Sequence, residues 1–289
     1  MTPSLPFAFT NSNLDSLSVE SIPLDRVSTE DLIISIAKNR VKIIDLSPFH
    51  TRDMLSENDK QPLITLGIYH QKRVLIHFHL GEISEQEEHN WHDLRSIALT
   101  LSLDLATVIA QASSLSHWHT HHQFCGLCGS KTKIGKEHSR VCLNKHCHHS
   151  QFPRIDPAVI MSVVNEQDEM LLGRQASWGE NRFSVVAGFL SHGETLEQCV
   201  AREVLEETGV IVNSVEYIAS QPWPFPSSIM LGFKATATKQ AIVTNDDELE
   251  EAMWISREEL QIKRDLKEIF ISPKLSISRY LIDLWIEGK

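Results

Sequence analysis

The sequence predicts an α+β protein in three parts, and three observations carry that prediction. Short runs rich in β-branched and aromatic residues recur between 41 and 79, and again between 158 and 189, each bounded by polar stretches. Apolar residues at three- and four-residue spacing mark helices near 90–115, 195–208 and 276–286. Between the two strand-rich halves, residues 117–153 are rich in His and Cys and poor in aliphatic side chains. The expected division is an N-terminal α+β domain over 1–118, a small metal-bound insert over 119–153, and a C-terminal α/β domain over 154–289.

The N-terminal strands are VKIIDLS, PLITLGIY and RVLIHFHL, followed by the 90–115 helix. The C-terminal half reads as the strands AVIMSVV, MLLGRQ and FSVVAGF, the 195–208 helix, strands near 211–220 and 229–238, a polar acidic segment, and the last helix. With 42% hydrophobic and 22% charged residues the chain buries an ordinary core. No run of about 18 apolar residues occurs, which excludes a membrane-spanning helix. The first residues lack the basic and apolar regions of a secretory signal, and the last carry no anchoring or retention signal. The expected location is therefore cytoplasmic. A formal net charge of −11 argues against a broad nucleic-acid footprint. The local exception is Lys131, Lys133, Lys136 and Arg140 in the insert, either a guide for an RNA 5′ end or a solvated loop.

Four of the five cysteines fall between 125 and 147. Cys125-Gly-Leu-Cys128 and Cys142-x4-Cys147 each present two thiolates from a turn, and four thiolates complete tetrahedral zinc. The ion would supply folding energy that so short a segment cannot obtain from apolar burial. A closed site of this kind is structural. The histidines nearby (His117, His119, His121, His122, His138, His146, His148, His149) are competing ligands in principle, but the four cysteines already fill the site.

Residues 188–210 read GFLSHGETLEQCVAREVLEETGV. They match Gly-x5-Glu-x7-Arg-Glu-apolar-x-Glu-Glu-x-Gly-apolar at every specified position, and a chance match has odds on the order of 10⁻⁶. The segment from Thr195 to Thr208 holds no Pro or Gly, and Gly209 falls where a left-handed cap would close the helix. Leu196, Cys199, Val200, Val204 and Leu205 form an apolar stripe, which makes Cys199 core rather than nucleophile. Glu203, Glu206 and Glu207 share a face at i, i+3 and i+4. Carboxylates that close raise one another's pKa unless a cation lies between them. Oxygen-only ligands suit Mg²⁺ or Mn²⁺, and such an ion activates water for attack at phosphorus. Arg202 is expected to orient the carboxylates. The alternative is a solvated acidic helix face.

Soon after comes Gln221-Pro222-Trp223-Pro224-Phe225-Pro226-Ser227-Ser228, preceded by Ser220. Alternating prolines favour an extended, stiff segment, with Trp223 and Phe225 presenting rings on a common side for stacking on a base. A rigid packed loop is the other reading.

The Gly188–Val210 motif is the Nudix box. Together with the SQPWPFPxS segment and the four-Cys ribbon, it resembles the NADH pyrophosphatases, the NudC-type Nudix hydrolases, over roughly residues 90–288. The resemblance implies a C-terminal Nudix α/β/α sandwich behind a zinc ribbon and an N-terminal α+β domain. It also implies a homodimer and hydrolysis of NAD(H) to AMP and nicotinamide mononucleotide, with removal of NAD caps from RNA 5′ ends in bacterial members. Glu203, Glu206 and Glu207, with Arg202, would form the catalytic group. Ala187, Glu203, Glu207 and Glu248 would hold Mg²⁺ or Mn²⁺, and Cys125, Cys128, Cys142 and Cys147 would hold zinc. Substrate contacts would come from Arg95, Glu137, Phe152, Gln221, Pro222, Trp223, Pro224, Phe225, Pro226, Ser227, Ser228 and Ser278. The second Cys pair departs from the family by its four-residue spacing, and Phe152 and Ser278 stand where relatives often have Tyr and Ala. The first 85 or so residues resemble nothing. Two other classes remain open: a broader hydrolase of ADP-ribose or dinucleotide polyphosphates, and a non-enzymatic binding module, which the intact glutamates disfavour.

Overall fold

The computed structural model describes residues 5, 8, 9, 14–55, 62–244 and 248–289. Residues 1–4, which open the stretch read for a signal, lie outside these, as do Asp246 and Asp247 beside Glu248. The chain forms two compact units, one of Phe9–Ile155 with Trp223–Ser227, the other of Met1–Ala8, Asp156–Pro222 and Ser228–Lys289. No helix among the described residues is long and apolar enough to cross a membrane.

The first unit is built on a seven-stranded sheet ordered Leu14–Asp15, Leu63–Tyr69, Lys72–Phe78, Leu32–Ala37, Arg40–Lys42, Trp91–Asp93, with Ser21–Ile22 also on Leu63–Tyr69. Its centre pairs Leu32–Ala37 parallel to Lys72–Phe78, Ile34 opposite Ile76. The Leu32–Ala37 strand was not foreseen. LIISIA is apolar but for Ser35 and buried on both faces, so it lacks the period-two alternation that marks a half-buried strand.

The single helix expected over 90–115 is instead a strand, one helical turn and a longer helix. Trp91–Asp93 pairs antiparallel with Arg40–Lys42. Asp93 then caps α1 (Leu94–Ile97), its carboxylate accepting from the Arg95 and Ser96 amides. Thr100 Oγ1 donates to Ile97 O as that turn ends, and Ser102 stands at the N-cap of α2 (Leu103–His121). Asp and Ser at these positions stabilise helix starts rather than continuity. α2 buries Ala106, Val108, Ile109 and Ala112 and runs on beyond 115, so His117, His119 and His121 are helical.

In the same unit the insert forms a three-stranded antiparallel sheet, Ser150–Gln151, Arg140–Cys142 and Thr132–Ile134. Trp118 Nε1 donates to His138 O at 2.9 Å and ties α2 to it.

The second unit is an α/β/α sandwich. Its six-stranded sheet runs Val212–Trp223, Ser228–Ala237, Asp156–Asn165, Met170–Arg174, Glu251–Ile255, with Val186–Phe189 also on Asp156–Asn165. Asp156–Asn165 and Ser228–Ala237 are parallel, Ile160 opposite Gly232. Alternation along the central strand divides the core into two. Val159, Met161 and Val163 face α3 (Leu196–Thr208) through Cys199, Val200 and Val204. Ile160 faces the other layer, where α4 (Arg257–Asp265) contributes Leu260 and α5 (Ile277–Ile286) contributes Ile277, Leu281, Ile282 and Trp285. α4 lay hidden in the polar acidic segment because Leu260 is its one buried residue, too little for an apolar stripe.

α3 begins and ends as its sequence requires. Thr195 Oγ1 accepts from the Gln198 amide while Gln198 Oε1 accepts from the Thr195 amide, a reciprocal capping box. Gly209 closes the helix at φ 70°, a conformation in which a Cβ costs about 1–2 kcal/mol. Gly209→Ala should therefore lower the unfolding free energy by about 1 kcal/mol, visible as a shifted urea midpoint with unchanged slope. An unshifted midpoint would mean that α3 ends without depending on that cap.

Candidate active site and cysteine centre

α3 lies against Val186–Phe189, and Gly188 is what permits the approach. A Cβ at Gly188 would overlap the Glu203 carboxyl group. Glu203 and Glu207 are thereby buried, at 8% and 3% exposure, while Glu206 points to solvent.

Arg202 binds this ensemble together. Its Nε and Nη2 donate to the two Glu194 oxygens at 2.8 and 3.0 Å, a bidentate pair. Nη1 donates to Glu203 Oε1 at 2.9 Å and Glu206 Oε2 at 2.8 Å, and Nη2 also donates to Phe189 O at 3.0 Å. With the Ser191 amide donating to Glu194 at 3.0 Å, the Arg202 pair holds the Glu194 carboxyl down to about 2. Glu203 is driven the other way. Burial raises its pKa, the Arg202 hydrogen bond opposes this, and the Glu206 and Glu248 carboxylates add to the rise. Glu248 thus acts on the same group from outside α3.

The donor set is oxygen-only, negative and partly desolvated, which fits a hard divalent cation. Ala187, expected to lend a ligand, precedes Gly188 in the strand under Glu203 and pairs with Ile160. Among the described residues these carboxylates are not gathered into a ready-made metal-holding group as they stand. Arg202 engages Glu203 and Glu206 instead.

The four ribbon cysteines are gathered that closely, all Sγ atoms within 4.8 Å. Cys125 and Cys147 are 3.8 Å apart, Cys128 and Cys142 3.5 Å. Tetrahedral zinc with bonds of about 2.3 Å requires sulfurs about 3.8 Å apart. Gly129, at φ 70°, turns the first pair back so that its amide donates to Cys125 O. The Asn144 amide donates to Cys142 Sγ at 3.4 Å. No histidine belongs to the cluster among the described residues.

Two readings of α3 need separate treatment. Cys199 is buried, donates to Phe189 O at 3.4 Å, and has its thiol pushed up to about 12, mainly by burial. It is core. Leu205, expected in the apolar stripe, is 47% exposed, because the buried face carries Glu203, Glu207 and Thr208 in its place.

The proline segment is extended only as far as Trp223. Pro224–Ser227 is the turn between Val212–Trp223 and Ser228–Ala237, strands that lie side by side and cannot be joined without a reversal. In the Phe9–Ile155 unit the Trp223 and Phe225 rings meet edge to face at 5.1 Å and 76°, rather than presenting a common face. Phe9 packs on Phe225 at 6.0 Å. The Arg95 guanidinium lies 4.4 Å from the Phe225 centroid and 5.7 Å from that of Trp223, and Ser114 Oγ donates to Pro226 O. The structure thus brings Arg95, Trp223 and Phe225 together. Phe152 and Glu137 are exposed, Glu137 at φ 53°. Pro222 and Pro226 are exposed, while Pro224 and Ser228 are buried and Ser227 half-buried.

Gln221 and Ser278 are engaged inside the second unit. Gln221 is fully buried, its amide donating to Ala8 O and Leu275 O at 2.8 Å and accepting from the Ile277 amide at 2.8 Å. It serves the first turn of α5, where Ser276 makes no side-chain cap. The Ser278 hydroxyl lies in a buried triangle with Ser184 at 2.8 Å and Ser272 at 3.1 Å. Neither Glu194 nor Phe189 O, the anchors of Arg202, was given a role from the sequence. Glu194 had a signal, as the first Glu of the box.

Residues 154–272 match the family described as the NUDIX domain, and residues 30–118 match the NADH pyrophosphatase-like rudimentary NUDIX domain. The NAD-capped RNA hydrolase NudC of Pseudomonas aeruginosa is 37% identical to the chain over 81% of each. The chain belongs to the NudC-type Nudix hydrolases. The NAD-capped RNA hydrolase NUDT12 of Homo sapiens is 34% identical over 87% of this chain and 63% of that protein; the chain thus spans under two thirds of the human relative's length. The NAD-capped RNA hydrolase NudC of Mycobacterium bovis is 38% identical over 67% of this chain and 64% of that one. The match at 30–118 corrects the reading that the first 85 residues resemble nothing. Of these, residues 30–85 fall within the match to the rudimentary NUDIX domain, which carries no box of its own to announce it.

Gly188→Ala should move the Glu203 carboxyl off the strand and cut turnover by about 10²-fold, with circular dichroism unchanged. Full turnover in a folded Gly188→Ala protein would show that the close approach does not matter to catalysis.

Proposed function

We propose that the chain hydrolyses the pyrophosphate bond of NAD(H), giving AMP and nicotinamide mononucleotide, and removes the same group from the 5′ end of NAD-capped RNA. The observation that carries this is the carboxylate set on α3, buried against Gly188 and braced by Arg202. The names of the relatives support the capped-RNA substrate.

Glu203, Glu207 and Glu248, with the Ala187 carbonyl, would hold Mg²⁺ or Mn²⁺. Such an ion supplies positive charge against the pyrophosphate oxygens and acidifies water. Glu206, the solvent-facing carboxylate, takes the proton of the attacking water. The new bond forms from water oxygen to phosphorus, and the bridging oxygen leaves on the other nucleotide's phosphate. Arg202 positions Glu203 and Glu206 and touches no reacting atom. Trp223, Phe225 and Arg95 recognise a planar ring by aromatic and cation–π contact, and the exposed Phe152 ring offers a second stacking surface. Glu137, Pro222, Pro224, Pro226, Ser227 and Ser228 complete the recognition surface by resemblance alone. Gln221 and Ser278 contribute by holding α5 rather than through free side chains. In this reading residues 1–118, 119–153 and 154–289 are the three working parts, the cysteines hold one structural zinc, and the enzyme is a cytoplasmic homodimer.

Mass spectrometry of products from NADH, ADP-ribose, diadenosine polyphosphates and NAD-capped RNA, with Mg²⁺ or Mn²⁺, tests the substrate. NADH should give AMP and reduced nicotinamide mononucleotide, and NAD-capped RNA should give nicotinamide mononucleotide and 5′-monophosphorylated RNA. Cleavage confined to ADP-ribose or the polyphosphates would replace this reading with the broader hydrolase. Glu206→Gln should fold normally and lose about 10²–10⁴-fold in kcat; wild-type rates would overturn its role. Zinc removal by a chelator should lower the melting temperature, with one zinc per chain found beforehand by elemental analysis. An unchanged melt after verified loss contradicts a structural site.

A further inference from the structure

The Phe9–Ile155 unit contains a cavity of about 240 Å³ that none of the residues assigned to catalysis lines. Phe78, Leu80 and Ile134 give it an apolar wall, and Arg140, Lys133 and His119 give it donors. No acidic side chain lines it among the described residues.

Arg140 was expected on a basic surface patch, but it is buried, at 8% exposure. Its Nε donates to Thr132 Oγ1 at 2.9 Å and His122 O at 3.2 Å, and its Nη2 to Thr132 O at 3.4 Å. Among the described residues Nη1 has no acceptor and the guanidinium has no carboxylate partner. Arginine is rarely this buried without a counter-charge, and an unpaired buried charge is costly. Lys133, on the adjacent strand, likewise forms no ion pair among the described residues. His119 is 2% exposed, and its Nδ1 has no hydrogen-bond partner. Arg140 and Lys133 converge on one cavity, and a single anion would satisfy both.

We infer that this cavity is a second ligand site, taking a small phosphomonoester with a planar or apolar body. The phosphate meets Arg140 and Lys133, and the body lies on Phe78, Leu80 and Ile134. Arg pairs with phosphate through fixed, charge-assisted hydrogen bonds. The volume is below the roughly 300–1,000 Å³ of drug-sized sites, which suits a mononucleotide or smaller occupant. The inference does not rest on the hydrolytic reading, because it needs neither the α3 carboxylates nor their metal.

Hydrogen exchange of the full-length, zinc-loaded chain without added Mg²⁺ or Mn²⁺ tests it, with AMP, inorganic phosphate, adenosine and a 5′-phosphorylated oligoribonucleotide as separate probes. AMP should protect peptides spanning 74–80, 117–124 and 131–141, inorganic phosphate should protect the last two more weakly, and adenosine should protect none. Lys133→Glu, at an exposed position, should weaken AMP protection by about tenfold or more while leaving the ligand-free exchange pattern and the hydrolytic rate as in wild type. AMP protection confined to 156–289, or undiminished in Lys133→Glu, would overturn the site. Protection of these peptides by the oligoribonucleotide alone would also overturn it, in favour of a nucleic-acid contact.

Discussion

The Arg202 guanidinium sits among Glu194, Glu203 and Glu206 and reaches the backbone at Phe189. Without that charge, the carboxylates of α3 would be too costly to keep together, since Glu203 already suffers from burial and from its acidic neighbours. The pairs differ in weight. Glu206 is about half exposed, so its ion pair with Arg202 contributes at most about 1 kcal/mol. The bidentate pair with the shielded Glu194 is the anchor, and it fixes the side chain from which the other two carboxylates hang. Gly188 supplies the complementary condition, an absence of atoms where Glu203 must lie. One cation, one anchor and one missing Cβ therefore set the geometry on which hydrolysis would depend.

The cysteine centre solves a different problem in the other unit. The 123–151 region has short strands and exposes Phe124, Leu127 and Leu143, so apolar burial alone holds little of it. Four sulfurs at near-tetrahedral separation supply a site whose occupation would be folding energy. The Trp118 and Arg140 bonds then tie the ribbon to α2. Arg140 is drawn inward by those bonds, and a residue that looked like surface charge becomes a buried donor.

The box was legible because its chemistry is local. Carboxylates three and four apart share a helix face, the run from Thr195 to Thr208 holds no Pro or Gly, and a Gly ends it, all within 23 consecutive residues. The cysteine pairs were legible for the same reason. What failed was reading a residue's partner across the chain. Gln221 sits in a segment that looks like a binding surface, yet its amide is used by Ala8, Leu275 and Ile277. LIISIA escaped notice because a strand buried on both faces carries no alternation, and α4 because a nearly all-polar helix carries no stripe.

The amino-acid sequence by itself determined the family, the helix that bears the glutamates, the four clustered cysteines and the sandwich order of the second half, since each rests on spacing along one segment. Tertiary structure alone decided that Glu203 is buried against Gly188 and that Arg95 lies on Phe225. It also decided that the proline segment turns back and that Arg140 faces a cavity. Those outcomes depend on which distant segments pack together, and burial, pKa and the supply of hydrogen-bond acceptors are properties of that packing rather than of any residue in it.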